Sequence, residues 1–155
     1  MTALKSILFL ILAPGIVAGY VPLALLLHGP QLESGFFAYL AFPLWLIGVV
    51  ILLWCFWDFL VKGKGTPAPI DPPKELVAVG LYRFVRNPMY VAGMIALLGW
   101  FLWSPSLPLM IAPFLFFSAA HFFVTLYEEP NLKKRFGAAY ENYLKKVPRW
   151  IPKIR

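Results

Sequence analysis

Four long apolar stretches alternate with polar ones along the chain: Leu4–Leu27, Phe36–Val61, Met89–Trp103 and Leu107–Tyr127. A helix needs about 20 apolar residues to cross a hydrocarbon core ~30 Å thick. The first, second and fourth stretches reach that length. The third would rise only about 22 Å at 1.5 Å per residue, so it must start below the interface or bend the bilayer. Pro88 just ahead of it suits the first turn of a helix. Ser104-Pro105-Ser106 is a short uncharged turn between the third and fourth stretches. Two helices joined so tightly are expected to run antiparallel as a hairpin. Pro14, Gly15 and Pro22 are expected to kink the first helix, which membrane helices tolerate.

Beyond Tyr127 the pattern changes. Leu132, Phe136, Tyr140, Tyr143 and Leu144 recur at helical spacing, with Lys133, Lys134, Lys145 and Lys146 elsewhere on the wheel. This predicts an amphipathic helix lying in the membrane interface, ended by Pro148 and Pro152. The expected fold is an all-α integral membrane protein of one domain. It has spans at about 4–27, 36–61, 88–103 and 107–127, a loop at 62–87 and a tail at 128–155.

Composition agrees. The chain has 155 residues, 61% hydrophobic and only 14% charged, with a mean hydropathy of +0.74, whereas a soluble domain is about 25% charged. A core this small cannot bury the excess. Lys5 precedes the uninterrupted apolar run Ile7–Leu27, which is too long for the core of a signal peptide and reads as a retained helix. Cys55 is the one cysteine, which excludes a disulfide framework or a cysteine-based metal site within one chain.

The net charge of +7 changes the picture by where it lies. Lys62, Lys64, Lys74, Arg83 and Arg86 fall between the second and third stretches, and eight Lys/Arg follow Lys133 inclusive. With four spans, all fourteen basic residues share one side, which the positive-inside rule makes cytoplasmic together with both termini. Three spans would scatter them. Anionic lipid head groups, not nucleic acid, are the expected partner of that charge. Trp54 and Trp57 near one end, and Trp100 and Trp103 near the other, suit aromatic belts. Asp58 is expected to reach the cytoplasmic interface near Lys62.

Candidate chemistry gathers on the same side. Glu128 and Glu129 repel each other at a helix C-terminus, where the helix dipole disfavours anions. Such a local conflict marks a functional site, although a solvated helix end would also carry it. Asn87 can cap the helix that Pro88 opens, leaving free N–H groups beside Arg86, whose guanidinium forks onto carboxylate or phosphate. Gly93 lies one turn from Tyr90 and leaves room for a ligand or a neighbouring helix. His121 is spaced with Thr125, Glu128 and Glu129 so that at least three share a face. It is either a site residue or a bridge between helices. His28 is expected on the opposite side, so no metal site is expected. The Gly63-Lys64-Gly65 turn lacks the context of a nucleotide fingerprint.

Two longer stretches carry a resemblance. GKGTPAPIDPPKELVAVGLYRFVRNPMY and EEPNLKKRFGAAYENYLKKVPRWIP, from Gly63 to Pro152, resemble the isoprenylcysteine carboxyl methyltransferase family and its phospholipid methyltransferase relatives. The shared order is an Arg-x-Pro-x-Tyr helix start, a Glu-Glu helix end, Phe-Gly, two tyrosines and a terminal proline. The resemblance implies S-adenosylmethionine bound at the cytoplasmic ends of the last two spans and the tail. It implies methyl transfer to a lipophilic acceptor, carboxylate or amine, within a multi-pass inner membrane protein of a bacterium or archaeon. By position, Arg86, Glu129 and Tyr90 become catalytic candidates. Tyr82, Arg86, Asn87, Pro88, Tyr90, Gly93, His121, Glu128, Glu129, Tyr140 and Arg149 become candidates for holding the cofactor, with Tyr143 beside them. Asn87 stands where the prenylcysteine enzymes usually carry histidine, which leaves the acceptor open, as is the oligomeric state. Rival readings are a sterol-reductase-like enzyme using NADPH, a non-enzymatic membrane binding or assembly protein, and a small transporter.

Overall fold

The computed structural model describes residues 11–28, 32–64 and 73–152. Lys5 and the start of the first apolar stretch, residues 65–72 of the loop, and Lys153 and Arg155 lie outside the described residues. All regular structure among the described residues is helical. The helices are α1 (Ile11–Leu27), α2 (Phe36–Gly63), α3 (Pro88–Trp103), α4 (Leu107–Phe136) and α5 (Ala138–Lys146). A short 3-10 turn, Gly80–Arg83, precedes α3. By length and composition, α2 and α4 can each cross a membrane, while α1 and α3 are shorter apolar helices.

The sequence explains how each helix starts, bends and stops. Pro22 has no N–H to offer the carbonyl of Ala18 four residues back. A π turn over Ile16–Tyr20 absorbs the mismatch, and the Trp100 indole N–H donates to the Ala18 oxygen at 2.6 Å. α2 stops at Lys64, which adopts a left-handed conformation (φ 49°). The returning chain then bonds its end, with the N–H groups of Lys74 and Glu75 donating to the Gly63 carbonyl at 2.8 and 3.4 Å. α3 opens at Pro88 as expected. α4 is capped by Ser106, whose Oγ accepts from the Leu109 N–H at 3.4 Å.

Three expectations are corrected. The fourth apolar helix does not end near Tyr127 but runs on to Phe136, and the tail helix is divided at Gly137 (φ 51°), a backbone turn only glycine adopts without strain. Asn87 does not cap α3 with its side chain, because its amide is used elsewhere. Asp58 does not reach outward: it is buried beneath Gly80.

α2 and α3 pack closely through small residues. A Cβ on Gly48 would meet the Ala92 carbonyl at 3.2 Å, and one on Gly99 would strike the Trp45 ring. The Trp45 indole donates to the Ala96 carbonyl at 3.2 Å. α3 and α4 run antiparallel, since Gly93 lies against Phe116 while Tyr90 lies against Glu128. At the end bearing the 104–106 turn, Leu32 N–H donates to Pro105 O and the Ser34 hydroxyl to Trp103 O. The described basic residues cluster at the other end, beside 62–86 and the tail. Large apolar side chains face outward along the helices: Leu46 is 65% exposed, Trp57 65% and Phe114 70%. Water would not tolerate such a surface, whereas lipid would.

Candidate active site

Three segments converge at the basic end: the turn 84–87 leading into α3, the middle of α4, and the strap 147–152 after α5. The strap is stitched to the start of α3. Arg86 N–H donates to the Pro148 carbonyl at 2.9 Å, and the Asn87 amide donates to the Arg149 carbonyl at 3.1 Å. α5 is pinned by the Tyr143 hydroxyl, which donates to the Tyr82 carbonyl at 2.7 Å.

These anchors bring four charges together. Arg86 Nη1 donates to Glu129 Oε1 at 2.8 Å. Arg149 donates through Nε to the same oxygen at 2.7 Å and through Nη2 to Oε2 at 2.9 Å. Glu129 is thus held between two guanidinium groups, with its side chain only 15% exposed. The carboxylate bond keeps Arg149 charged beyond its ordinary range, against the opposing pull of burial. Beside it, the Tyr90 hydroxyl donates to Glu128 Oε2 at 3.1 Å.

Tyr140 is almost fully buried here. Burial and then the Glu129 carboxylate push its phenol up to about 12, against Arg86. Tyr143 and Tyr82 are also raised, chiefly by burial. All three phenols are therefore neutral at physiological pH.

A cavity of about 810 Å³ opens from this cluster. Arg86, Asn87, Tyr90, Glu128, Glu129 and Tyr140 line its polar end, and Tyr82 and Gly93 also reach it. Its apolar walls come from Ala13, Val17 and Ala18 on α1, from Gly48, Val49 and Leu52 on α2, and from Phe116 and Phe123 on α4.

The remaining candidates stand outside. Pro88 is buried at the helix start and does not line the cavity. Arg149 acts on it through Glu129. His121 turns away and accepts the Trp150 indole N–H on Nδ1 at 3.1 Å. Trp150 escaped the sequence reading, although its ring also meets Tyr90 at 6.2 Å and Phe117 at 5.1 Å. A lone aromatic residue between Pro148 and Pro152 was its only signal. The α2 wall was equally unmarked, because apolar residues of a lipid-facing helix and of a cavity look alike.

Comparison with known proteins shows what the chain is similar to. The chain is 35% identical over 88 residues to protein-S-isoprenylcysteine O-methyltransferase of Schizosaccharomyces pombe, which covers 51% of this chain and 34% of that protein. It is 34% identical over 89 residues to methanethiol S-methyltransferase of Crocosphaera subtropica, covering 53% of this chain and 31% of that one. The chain thus spans about a third of the length of these relatives. No solved structure matches. The model of the phospholipid methyltransferase family matches residues 36–139, and with its apolar helices the chain is a membrane protein that belongs to that family.

Proposed function

We propose that this protein transfers a methyl group from S-adenosylmethionine to a lipophilic acceptor held within the membrane. The observation that carries the reading is the two-ended cavity. One end offers guanidinium, carboxylate and phenol groups at the basic face, and the other is walled by apolar side chains from three helices. A water-soluble cofactor and a lipid-soluble acceptor need such a pair of environments side by side.

The residues present suit the cofactor. Arg86 lines the cavity and gives Nη1 to Glu129, and its remaining Nη N–H groups can serve a carboxylate. Glu128 offers an anion to ammonium or hydroxyl groups, and the rings of Tyr90, Phe116 and Phe123 offer flat surfaces. When bound, S-adenosylmethionine would supply a methyl group on a sulfonium, whose carbon an acceptor lone pair attacks in line as the C–S bond breaks and the neutral thioether leaves.

The protein's part is position and electrostatics. Arg86 holds an anionic group at the start of α3, and Tyr90 fixes Glu128 by hydrogen bonding to Oε2. The apolar walls keep water from the reacting atoms. A carboxylate acceptor needs no base. An amine acceptor loses a proton, which the Glu128 carboxylate is placed to take.

The same reading includes four spans at about 4–27, 36–61, 88–103 and 107–127, with both termini, the loop 62–87 and the tail in the cytoplasm. The grouping of the 32–35 and 104–106 segments at the end opposite the basic residues supports it. α5, with Tyr140 buried and Lys145 and Lys146 exposed, would lie against anionic head groups.

Titration of S-adenosylmethionine into the detergent-solubilised, lipid-supplemented protein by calorimetry tests the proposal, with NADPH as comparison. Saturable binding of the methyl donor alone is expected. NADPH binding without donor binding would favour the reductase reading, and no binding of either would refute the enzyme assignment.

A further inference from the structure

Glu128 and Glu129 are adjacent in the chain, yet their surroundings differ. Both oxygens of Glu129 are taken, one shared by Arg86 and Arg149 and the other bonded by Arg149. Glu128 accepts from Tyr90 on Oε2. Its Oε1 has no hydrogen-bond partner among the described residues and is not sealed off from the cavity that the residue lines.

The donors are divided as unevenly as the acceptors. Arg149 approaches Glu129 side-on through Nε and Nη2, the geometry in which a guanidinium saturates a carboxylate. Arg86 then needs to give Glu129 only Nη1. Its Nε is buried out of a ligand's reach, but Arg86 lines the cavity, so the Nη N–H groups not given to Glu129 or Tyr140 are what it offers a second anion. Two guanidinium groups against one carboxylate leave this corner net positive, whereas Glu128 leaves its own corner negative. Arg149 reaches this place only because the strap is bonded to Arg86 N–H and the Asn87 amide.

We propose that the two glutamates have different roles at the methyl-donor site. Glu128 faces the cationic part of the donor. Glu129 is a positioning residue, matched by Arg149 so that Arg86 stays free for the donor's carboxylate. Arg149 is then a positioning residue as well, acting from the strap without touching the ligand. This inference rests on the methyl-donor reading given above.

Removal of Arg149 would let Arg86 swing into a two-pronged pair with Glu129 and withdraw from the ligand. The loss would therefore fall on ligands that carry a carboxylate. Removal of the Glu128 charge would fall on ligands that carry the cationic groups, with or without the carboxylate.

Calorimetric titration of S-adenosylmethionine and of its decarboxylated form, which keeps the sulfonium and amine, separates these effects. Glu128→Gln is expected to weaken both ligands at least tenfold. Arg149→Gln is expected to weaken S-adenosylmethionine at least tenfold and to leave the decarboxylated form within about twofold of wild type. Arg149→Lys, which keeps the charge but not the fork, should fall between for S-adenosylmethionine and again spare the decarboxylated ligand. Equal weakening of both ligands by Arg149→Gln and by Arg149→Lys would mean a merely structural strap and would overturn the proposal, as would a Glu128→Gln variant that binds both normally. Failure of the wild-type protein to bind either ligand would instead remove the methyl-donor reading itself.

Discussion

Gly80 is the residue whose substitution tests the packing beneath the site most directly. It has φ +53° and sits over Asp58 and Trp54 at the basic end of α2. Two costs add in Gly80→Ala. An L-residue in the left-handed region loses roughly 1–2 kcal/mol. The new methyl would also overlap the Asp58 carboxylate and lie 3.0 Å from the Trp54 indole nitrogen, and overpacking of this kind costs roughly 1–3 kcal/mol. The loss of glycine's freedom in the unfolded chain returns about 0.4–1 kcal/mol. The net destabilisation of the Gly80–Arg83 turn is therefore about 1.5–4 kcal/mol.

Cys55 reports on that turn. It is the single cysteine of the chain, has 0% exposure and packs against Tyr82 and Val77. Its labelling by a maleimide dye in micelles follows the population in which the turn has lifted, provided reclosing outpaces labelling. At about 1.4 kcal/mol per tenfold, Gly80→Ala should label roughly ten to a thousand times faster than wild type. Asp58→Ala on that background removes the overlap and should recover the steric part only. Gly15→Ala, where a Cβ meets nothing within 4 Å, should not speed labelling. Wild-type kinetics in Gly80→Ala would refute the close seating of the turn on α2.

Other outcomes rest on single contacts. Trp100→Phe strips the donor from the Ala18 carbonyl that Pro22 leaves unbonded, which should cost about 1–3 kcal/mol; adding Pro22→Ala, which restores an N–H, should recover part of the melting temperature. Ser106→Ala removes the buried cap of α4 and should cost about 1 kcal/mol in chemical denaturation. Between the ordinary phenol value of ~10 and the folded value of about 12 for Tyr140, the unfolded chain releases a proton that the folded chain keeps. Stability present below pH ~10 should decline up to about pH 12, and Tyr140→Phe should flatten that slope in denaturation curves.

The helices were legible because their signals are local. Pro88 set the start of α3, Ser104-Pro105-Ser106 set the turn before α4, and the all-helical class came from apolar stretches of spanning length. Both glutamates and Arg86 stood out because charges beside a membrane helix conflict with their surroundings. Asn87 was misjudged for the same reason that Trp150 was missed. The Asn87 amide serves a strap 62 residues away, and Trp150 serves a helix 29 residues back. Spacing along a helix carries no information about such pairs.

At least three of His121, Thr125, Glu128 and Glu129 are expected on one face, and His121 stands apart from the two glutamates for a reason written in the sequence. In a regular α-helix, His121 and Glu128 would point within about 20° of each other, at 100° per residue. Pro130 has no N–H for the Leu126 carbonyl, so the regular ladder breaks there. The helix answers with a π turn over Val124–Glu128, closed by the Glu129 N–H on the Val124 carbonyl. That turn takes in one extra residue and rotates the rest of the helix by about 100°. His121 consequently meets Trp150, while Glu128 and Glu129 meet Tyr90 and the two arginines. Deletion of Leu126, a 75% exposed residue, would restore the regular phase and carry both glutamates away from these partners. Donor binding by calorimetry should then be lost while the protein still folds, since the α2–α3 seam at Gly48, Gly99 and Trp45 lies outside the rotated part. Retained donor binding in the deletion variant would show that helical phase is not what places the two carboxylates.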